Sequence, residues 1–141
     1  MKSAPCPCGS GRPLAACCGP RLAGQVPAPD ALALMRSRYT AYAQGEAAYL
    51  LDTWHPTTRP AALRLDEEPR PRWIGLTVKR HEQQDADHAR VEFVARYKLN
   101  GRAFRLHETS RFVRADGRWL CRWECGGIIT LQESQLLRDG T

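Results

Sequence analysis

Four of the six cysteines in this chain lie within thirteen residues, as Cys6, Cys8, Cys17 and Cys18, with the spacing C-x-C-x8-C-C. Such a dense group of thiols is typical of a metal site. Zn2+ accepts four thiolates in a tetrahedron with Zn–S distances of about 2.3 Å, and a closed shell of this kind leaves no position for water or substrate. The spacing therefore predicts one structural zinc ion held by these four cysteines.

The residues between the two cysteine pairs fit such a site. Gly9 and Gly11 allow the backbone to turn tightly after the first pair, because glycine enters positive-φ conformations without steric cost. Residues 12–16 are expected to form a short helical turn that returns Cys17 and Cys18 to the metal. Gly19 and Pro20 then predict the end of that turn.

Two other interpretations of the cluster remain open at this stage: disulfide or redox chemistry, and free buried thiols. Adjacent cysteines such as Cys17 and Cys18 do not easily bridge each other. Residues 1–5 contain no apolar run of the kind found in a secretory signal. Both observations favour metal binding over a disulfide framework.

The run from Cys6 to Gly19, CPCGSGRPLAACCG, resembles the SEC-C motif, a small zinc-binding module known from the C-terminal tail of the preprotein translocase ATPase SecA. The resemblance implies that Cys6, Cys8, Cys17 and Cys18 are the ligands. Family members usually carry several lysines between the ligand pairs, whereas this chain has only Arg12.

The whole chain has the composition of a globular protein, with 43% hydrophobic and 26% charged residues among 141. Its formal net charge of +6 comes mainly from arginines that are interleaved with acidic residues, which favours a solvated surface over a nucleic-acid site. No stretch approaches the ~20 apolar residues of a membrane helix. We therefore expect no membrane association and a cytoplasmic location.

Two helices are predicted after a linker rich in proline and glycine at residues 19–29. The first helix, 30–44, carries an apolar stripe at three- and four-residue spacing, formed by Leu32, Met35, Tyr39 and Tyr42. The second, 46–54, ends at His55, because a residue that precedes proline is disfavoured in helical conformation. The linker is expected to leave the zinc module some freedom, unless Leu22 and Val26 pack down.

From Trp73 the hydrophobic period changes to two, which predicts strands. Ile74, Leu76 and Val78 form one apolar set, and the next strand carries Val91, Phe93, Ala95 and Tyr97. Asn100-Gly101 predicts a two-residue hairpin turn, and Asp116-Gly117 predicts another before a fourth strand at 118–124. Two helices followed by four strands predict an α+β domain with the helices packed on one face of a curved antiparallel sheet, the outline of a cystatin-like or nuclear transport factor 2-like cone.

A wider resemblance covers residues 6 to about 119. Four segments look like those of the YchJ family, in which a SEC-C motif precedes a nuclear transport factor 2-like domain: 35–42, 53–56, 91–97 and 108–112. The resemblance implies a zinc module at 1–20, a linker at 21–29, the cone domain at 30–125 and a tail at 126–141. Some family members carry a second SEC-C motif near the end, but residues 120–141 contain only Cys121 and Cys125.

Cones of this fold often enclose a pocket that holds a general base. Weak candidates for such a pocket are His55, Arg96 and Glu108, together with Arg38 and Ser110. Each also has a structural interpretation: His55 as a donor at a helix end, Arg96 and Glu108 as a cross-strand ion pair, and Arg38 as a partner of a carboxylate or as cover for an apolar rim. The four tryptophans are expected in the core or in the wall of the pocket.

Cys121 and Cys125 are expected to be isolated structural thiols. Four residues of extended chain would hold them roughly 13 Å apart, which is too far for a disulfide bond.

Two functional hypotheses follow. The favoured one is a zinc-stabilised protein-interaction module, in which the SEC-C knuckle offers a rigid surface to a protein partner. The alternative is a small-molecule enzyme or ligand-binding protein that uses the pocket of the cone. A filled cone would favour the first hypothesis, and polar groups converging on a deep cavity would favour the second.

Overall fold

The computed structural model describes residues 4–65 and 70–123. In chain order it contains a 3-10 turn at Leu14–Ala16, the helices α1 (Cys18–Leu22), α2 (Ala31–Gln44) and α3 (Ala47–Asp52), and four strands. The strands are β1 (Arg72–Asp85), β2 (His88–Leu99), β3 (Arg102–Ala115) and β4 (Arg118–Trp123). The predicted tail at 126–141 and Cys125 lie outside the described residues. No helix within the described ranges is long and apolar enough to span a membrane.

Helix α2 matches the predicted range, and Asp30 fixes its start. The Asp30 carboxylate accepts a hydrogen bond from the backbone N–H of Ala33 at 2.7 Å, which satisfies one of the unpaired donors of the first turn. Met35, Tyr39 and Tyr42 are buried as expected. Leu32 is only half-buried, whereas Leu34 and Arg38 are fully enclosed, because α2 is covered on more than one side.

Helix α3 ends at Asp52, two residues before the predicted boundary. The chain after it runs beside β4: the backbone N–H of Cys121 bonds to the Thr53 carbonyl, and the N–H of His55 bonds to the Cys121 carbonyl, both at 2.8 Å. These two bonds satisfy backbone groups that the helix end would otherwise leave unpaired. They also bring Trp54, which is buried, into the core.

The four strands form one antiparallel sheet in the order β1-β2-β3-β4, which confirms the predicted meander. Both predicted turns are present. Asn100 and Gly101 have φ values of 52° and 77°, and Asp116 and Gly117 have 51° and 79°. Two consecutive positive φ angles define the tight turn that matches the twist of a β-hairpin.

One face of the sheet packs on the helices. Val91, Phe93, Ala95 and Tyr97 alternate along β2 and are buried, as predicted. Ile74, predicted to be buried, is 47% exposed, and this prediction is wrong. The register of β1 shifts between Trp73 and Gly75, and this irregularity breaks the two-residue alternation at Ile74. The molecule is therefore an α+β fold, with its helices on one face of an open four-stranded antiparallel sheet.

The N-terminal segment differs from the expectation of a loosely joined module. Pro20 lies in the first turn of α1, where a missing N–H costs nothing, so it does not stop the chain. The cysteine cluster shares one buried core with α2 and the sheet, and Leu22 packs against this core. Val26 stays 47% exposed. The division of the chain at residues 20, 29 and 125 remains a prediction.

Candidate metal centre

The knuckle, residues 4–18, is closed by its own backbone hydrogen bonds. The N–H of Cys6 donates to the Arg12 carbonyl at 2.9 Å, and the N–H of Leu14 donates to the Ala4 carbonyl at 2.8 Å. These bonds fold residues 6–12 into a tight loop. The 3-10 turn that follows brings Cys17 and Cys18 back beside the first cysteine pair, as the sequence predicted.

The four sulfur atoms of the knuckle converge. Cys6, Cys8, Cys17 and Cys18 are buried, and their Sγ atoms all lie within 4.8 Å of one another. The Cys17 Sγ lies 3.6 Å from the Cys8 Sγ and 3.9 Å from the Cys18 Sγ. A tetrahedron with metal–sulfur bonds of about 2.3 Å has sulfur–sulfur edges of about 3.8 Å. The spacing of the thiols therefore fits one four-coordinate metal ion.

Hydrogen-bond donors surround the sulfurs. The Ser10 Oγ lies 3.2 Å from the Cys17 Sγ, and the Arg12 Nη2 donates to the same sulfur at 3.8 Å. From α2, the Thr40 Oγ1 lies 3.7 Å from the Cys6 Sγ. Groups of this kind orient thiolates and offset their negative charge around a metal.

The protonation of the cluster shows why a cation fits it. Without a metal, the Cys18 thiol donates a hydrogen bond to the Cys8 sulfur, and this bond is the main reason that the pKa of Cys8 falls from 9.0 to about 4. The same bond, together with burial, raises the pKa of Cys18. Hydrogen bonds from Ser10 and Cys6 lower the pKa of Cys8 further. A bound metal cation would stabilise all four sulfurs as thiolates.

The knuckle is fixed to the body at two points. The Arg36 Nη1, on α2, donates to the Cys8 carbonyl at 2.8 Å. On the other side of Cys8, a Cβ built on Gly9 would lie 3.2 Å from the Leu76 carbonyl oxygen of β1. The loop therefore rests against both the helix and the sheet.

Close packing also occurs between the knuckle and α1. A Cβ on Gly19 would lie only 2.8 Å from the backbone oxygen of Leu14. Real Cβ atoms essentially never come this close to another heavy atom, so α1 contacts the 3-10 turn at a distance that only glycine permits.

The sequence pattern gave no indication of a role for Arg36 or Thr40. The two residues are four positions apart, so they share one face of α2. That face contacts the cysteine cluster in the structure. In the sequence, neither the threonine nor the arginine differs from the other polar residues in a way that would predict this contact. Only the docking of the knuckle on α2 gives them their role.

The sheet separates two of the candidate pocket residues, Arg96 and Glu108. In the β2–β3 register Glu108 pairs with Phe93, and Arg96 pairs with Arg105, so Glu108 and Arg96 lie on opposite faces of the sheet. Arg96 donates instead to the Thr77 Oγ1 at 3.1 Å. The expected Arg96–Glu108 ion pair is therefore wrong, because Arg96 lies three positions from Phe93, the partner of Glu108, and an odd offset along a strand puts two side chains on opposite faces.

His55 lies in the loop after α3, where its Nδ1 is 2.7 Å from the Thr57 Oγ1. Ser110 is buried and pairs in register with Val91, on the face that carries Glu108.

Arg38 is 3% exposed and links α2 to the end of α3. Its Nη1 donates to the Leu50 carbonyl at 2.8 Å and to the Thr53 Oγ1 at 2.6 Å, and its guanidinium lies 5.2 Å from the centre of the Trp54 ring. Burial lowers the pKa of Arg38. This buried cation faces the C-terminal end of a helix, where carbonyl oxygens attract positive charge.

The expectation for Cys121 is also corrected. Cys121 is disulfide-bonded in the structure, not an isolated thiol. Cys125 lies beyond the described residues.

Comparison with known proteins agrees with this arrangement. A family model described as the SEC-C motif matches residues 3–20, and a model described as YchJ, middle NTF2-like domain, matches residues 30–122. The chain belongs to the YchJ family. This confirms the resemblance that the sequence carried, and it identifies the α+β body as a nuclear transport factor 2-like (NTF2-like) domain.

Relatives in this family are bacterial UPF0225 proteins. The protein of Ralstonia nicotianae is 56% identical over 128 residues, which cover 84% of this chain and 88% of the relative. The protein of Chromobacterium violaceum is 61% identical over 121 residues, which cover 82% of this chain and 88% of the relative.

Two solved structures share the fold. A SEC-C motif containing protein from Rhodopseudomonas palustris superposes with a TM-score of 0.73 at 34% identity, and the match covers 83% of this chain and 94% of that protein. Another SEC-C motif containing protein, from Psychrobacter arcticus, gives a TM-score of 0.70 at 25% identity, covering 88% of this chain and 82% of that protein.

Proposed function

We propose that this protein binds one structural Zn2+ through Cys6, Cys8, Cys17 and Cys18, and that the zinc knuckle and the body together form a surface that binds a protein partner. The observation that carries the proposal is the buried group of four sulfurs, with sulfur–sulfur distances of 3.6 and 3.9 Å around Cys17. Four sulfur ligands complete the coordination of zinc, so the ion builds structure and activates no water.

The charges near the sulfurs support zinc as the metal. A zinc ion with four thiolates carries a formal charge of two minus. The Arg12 guanidinium contacts the Cys17 sulfur, and Arg36 bonds to the Cys8 carbonyl, so two cations stand beside this negative centre. Soft thiolate ligands in a four-coordinate arrangement are typical of zinc among the common divalent metals.

The outer surface of the knuckle supports the interaction role. Pro13, Ala15 and Ala16 are exposed, as is Arg12. The metal and the contacts with α2 hold this surface in one conformation. A rigid surface binds a partner at a lower entropic cost than a mobile loop does.

The packing of the cone favours the interaction role over a ligand cavity. Aromatic rings follow one another from α2 across the sheet: Tyr39 and Trp73 have centroids 5.8 Å apart, Trp73 and Tyr97 5.1 Å, and Tyr97 and Phe104 5.4 Å. These rings fill space between α2 and the sheet, although a cleft of about 370 Å3 lies beside Tyr42 and Trp73. We also propose that the protein acts in the cytoplasm, where four reduced thiols are available to a metal; the disulfide at Cys121 is the exception to this reduced state.

A site-specific photo-crosslinker tests the interaction role in living cells. The crosslinker is placed at Ala15, on the exposed surface of the knuckle, or at Arg105, an exposed control position on the sheet. We expect a discrete crosslinked protein at Ala15 that is absent at Arg105 and is lost when Cys17 is also replaced by serine. Equal crosslinking at both positions, or none at either, would contradict the interaction role.

A further inference from the structure

A cleft of about 220 Å3 lies where the knuckle segment meets the body. Its walls come from α1, from the connection at residues 24–28, from α2 and α3, and from the start of β4. Binding sites occur preferentially at such junctions between units of a fold. Small-molecule pockets usually measure about 300–1,000 Å3, so this cleft has the size of a site for one or two side chains.

The apolar part of the cleft is formed by large side chains. Tyr49 and Trp119 line it together with Leu34, and Val26 stands at its rim with 47% of its surface exposed. The Tyr49 hydroxyl is engaged with the Ser37 Oγ at 2.7 Å, so the ring of Tyr49 is held in place. An apolar side chain of a partner would bury surface against these groups.

The cationic part of the cleft is formed by Arg21 and Arg118. Arg118 is already paired with Asp52, through an Nη2–Oδ2 distance of 3.0 Å and a second bond to the Asp52 carbonyl. Within the described ranges, Arg21 makes one hydrogen bond, a long one of 3.4 Å from its Nη1 to the Cys17 carbonyl. Its Nε is enclosed, with no hydrogen-bond partner among the residues that the structure describes. No carboxylate among the described residues pairs with Arg21, so the charge of its guanidinium favours an acidic ligand, and a carboxylate is the acceptor that suits a guanidinium best.

We propose that this cleft binds an acidic peptide segment of the partner protein. A large apolar side chain enters between Tyr49 and Trp119, and a neighbouring carboxylate accepts a hydrogen bond from Arg21. The inference rests on the proposed function, because it names the place and the chemistry of the partner contact. It goes beyond that function in assigning the contact to residues outside the four cysteines.

Peptide titration followed by NMR tests the chemistry. The full chain, labelled with 15N, is titrated with three blocked pentapeptides: phenylalanine flanked by glutamates, phenylalanine flanked by lysines, and alanine flanked by glutamates. We expect saturable shifts at Gly24, Val26 and the Trp119 indole with the first peptide, and at least tenfold weaker binding of the other two. If the two glutamate peptides bind equally well, the apolar contact is contradicted. If the two phenylalanine peptides bind equally well, the carboxylate contact is contradicted.

Variants locate the site. Val26→Asp places a negative charge at the rim of the cleft, and Ile74→Asp is its matched control, because Ile74 is also 47% exposed and does not line the cleft. We expect Val26→Asp to lose binding and Ile74→Asp to keep it. Arg21→Gln is expected to bind about tenfold more weakly, the value of one charge-assisted hydrogen bond. If Val26→Asp and Ile74→Asp bind equally well, the cleft is not the site.

The outcome separates this inference from the proposed function. Crosslinking at Ala15 without peptide binding at the cleft would overturn the inference and leave the interaction role intact. No crosslinking together with no peptide binding would overturn both. If single-stranded DNA shifts the same signals more strongly than the acidic peptide does, the cleft recognises phosphate, and the peptide assignment is wrong.

Discussion

Arg36 reaches from the middle of α2 to the backbone of the metal loop, where its Nη1 donates a 2.8 Å hydrogen bond to the carbonyl oxygen of Cys8. One turn further along the same helix, Thr40 meets the Cys6 sulfur. The helix that forms the core of the body therefore also supports the cysteine cluster. Loss of the metal is expected to affect the body, and a change in α2 is expected to affect the metal.

Replacing Arg36 with alanine removes the link between helix and loop. A hydrogen bond that involves a charged group contributes about 1.5–3 kcal/mol, and Arg36 is half-exposed, so we expect a loss of about 1.5 kcal/mol in the free energy of unfolding. Urea denaturation measures it. The variant should also release its metal faster to a chromogenic chelator. The control is Arg105→Ala, at an exposed position on the sheet, and equal release rates for the two variants would contradict the link.

Replacing Gly19 with alanine tests the packing between α1 and the knuckle. The added Cβ would meet the Leu14 carbonyl oxygen at 2.8 Å, and relief requires a backbone shift that we expect to cost about 1–3 kcal/mol. The affinity for the metal should fall together with this loss of stability, and competition with a chelator measures it. Gly75→Ala is the matched control, since a Cβ there meets no atom within 4 Å and its φ is not positive. A Gly19→Ala protein that binds metal as tightly as the control would refute the packing.

Arg38 is expected to contribute more to the free energy of unfolding than an exposed arginine does. Its replacement by methionine leaves the Leu50 carbonyl and the Thr53 hydroxyl without their buried donor, and we expect a loss of about 3 kcal/mol in unfolding free energy. Arg38→Lys keeps the charge but not the planar fork, so it should recover only part of this loss. Chemical denaturation of both variants measures the difference. Full recovery by lysine would show that charge alone matters.

Tyr39 predicts how stability changes at high pH. Burial raises the pKa of its hydroxyl from 10.0 to about 12. A group with a raised pKa in the folded state contributes stability that is complete below pH 10 and is lost as the pH rises through about 12, with a slope of up to about 1.4 kcal/mol per pH unit.

Tyr39→Phe should therefore flatten the fall in stability between pH 10 and 12. The burial of Tyr42, Tyr49 and Tyr97 raises their pKa values as well, so a fall of smaller slope should remain in the variant. Denaturation midpoints at a series of pH values give both slopes, after each series is normalised to its own value at pH 7. Parallel curves for the two proteins would contradict the assignment to Tyr39.

Local signals in the sequence were enough to predict most of the fold. The turns at Asn100-Gly101 and Asp116-Gly117 follow from the residue types that favour two-residue turns, and β2 follows from the alternation of Val91, Phe93 and Ala95. The cysteine spacing likewise predicted which sulfurs would meet, because the ligands of this site lie close together in the chain.

The errors arose where the outcome depends on contacts between distant segments or on a local irregularity. Ile74 is exposed because the register of β1 shifts beside it. The residue types around Ile74 do not predict this shift. Arg96 and Glu108 were placed on one face, but the register between β2 and β3 decides this, and it separates them. The docking of the knuckle through Arg36 joins residues 28 positions apart in sequence, which periodicity does not reveal.

The central claim is that Cys6, Cys8, Cys17 and Cys18 hold one zinc ion that also stabilises the body. The most direct test uses protein purified under reducing conditions without chelators. Native mass spectrometry with elemental analysis counts the metal in each sample, and urea unfolding of the same sample measures the stability of the body. We predict one zinc per chain in the unaltered protein, and loss of zinc with a lower unfolding midpoint for the body in Cys17→Ser. A full equivalent of zinc in Cys17→Ser, or no metal in the unaltered protein, would contradict the account.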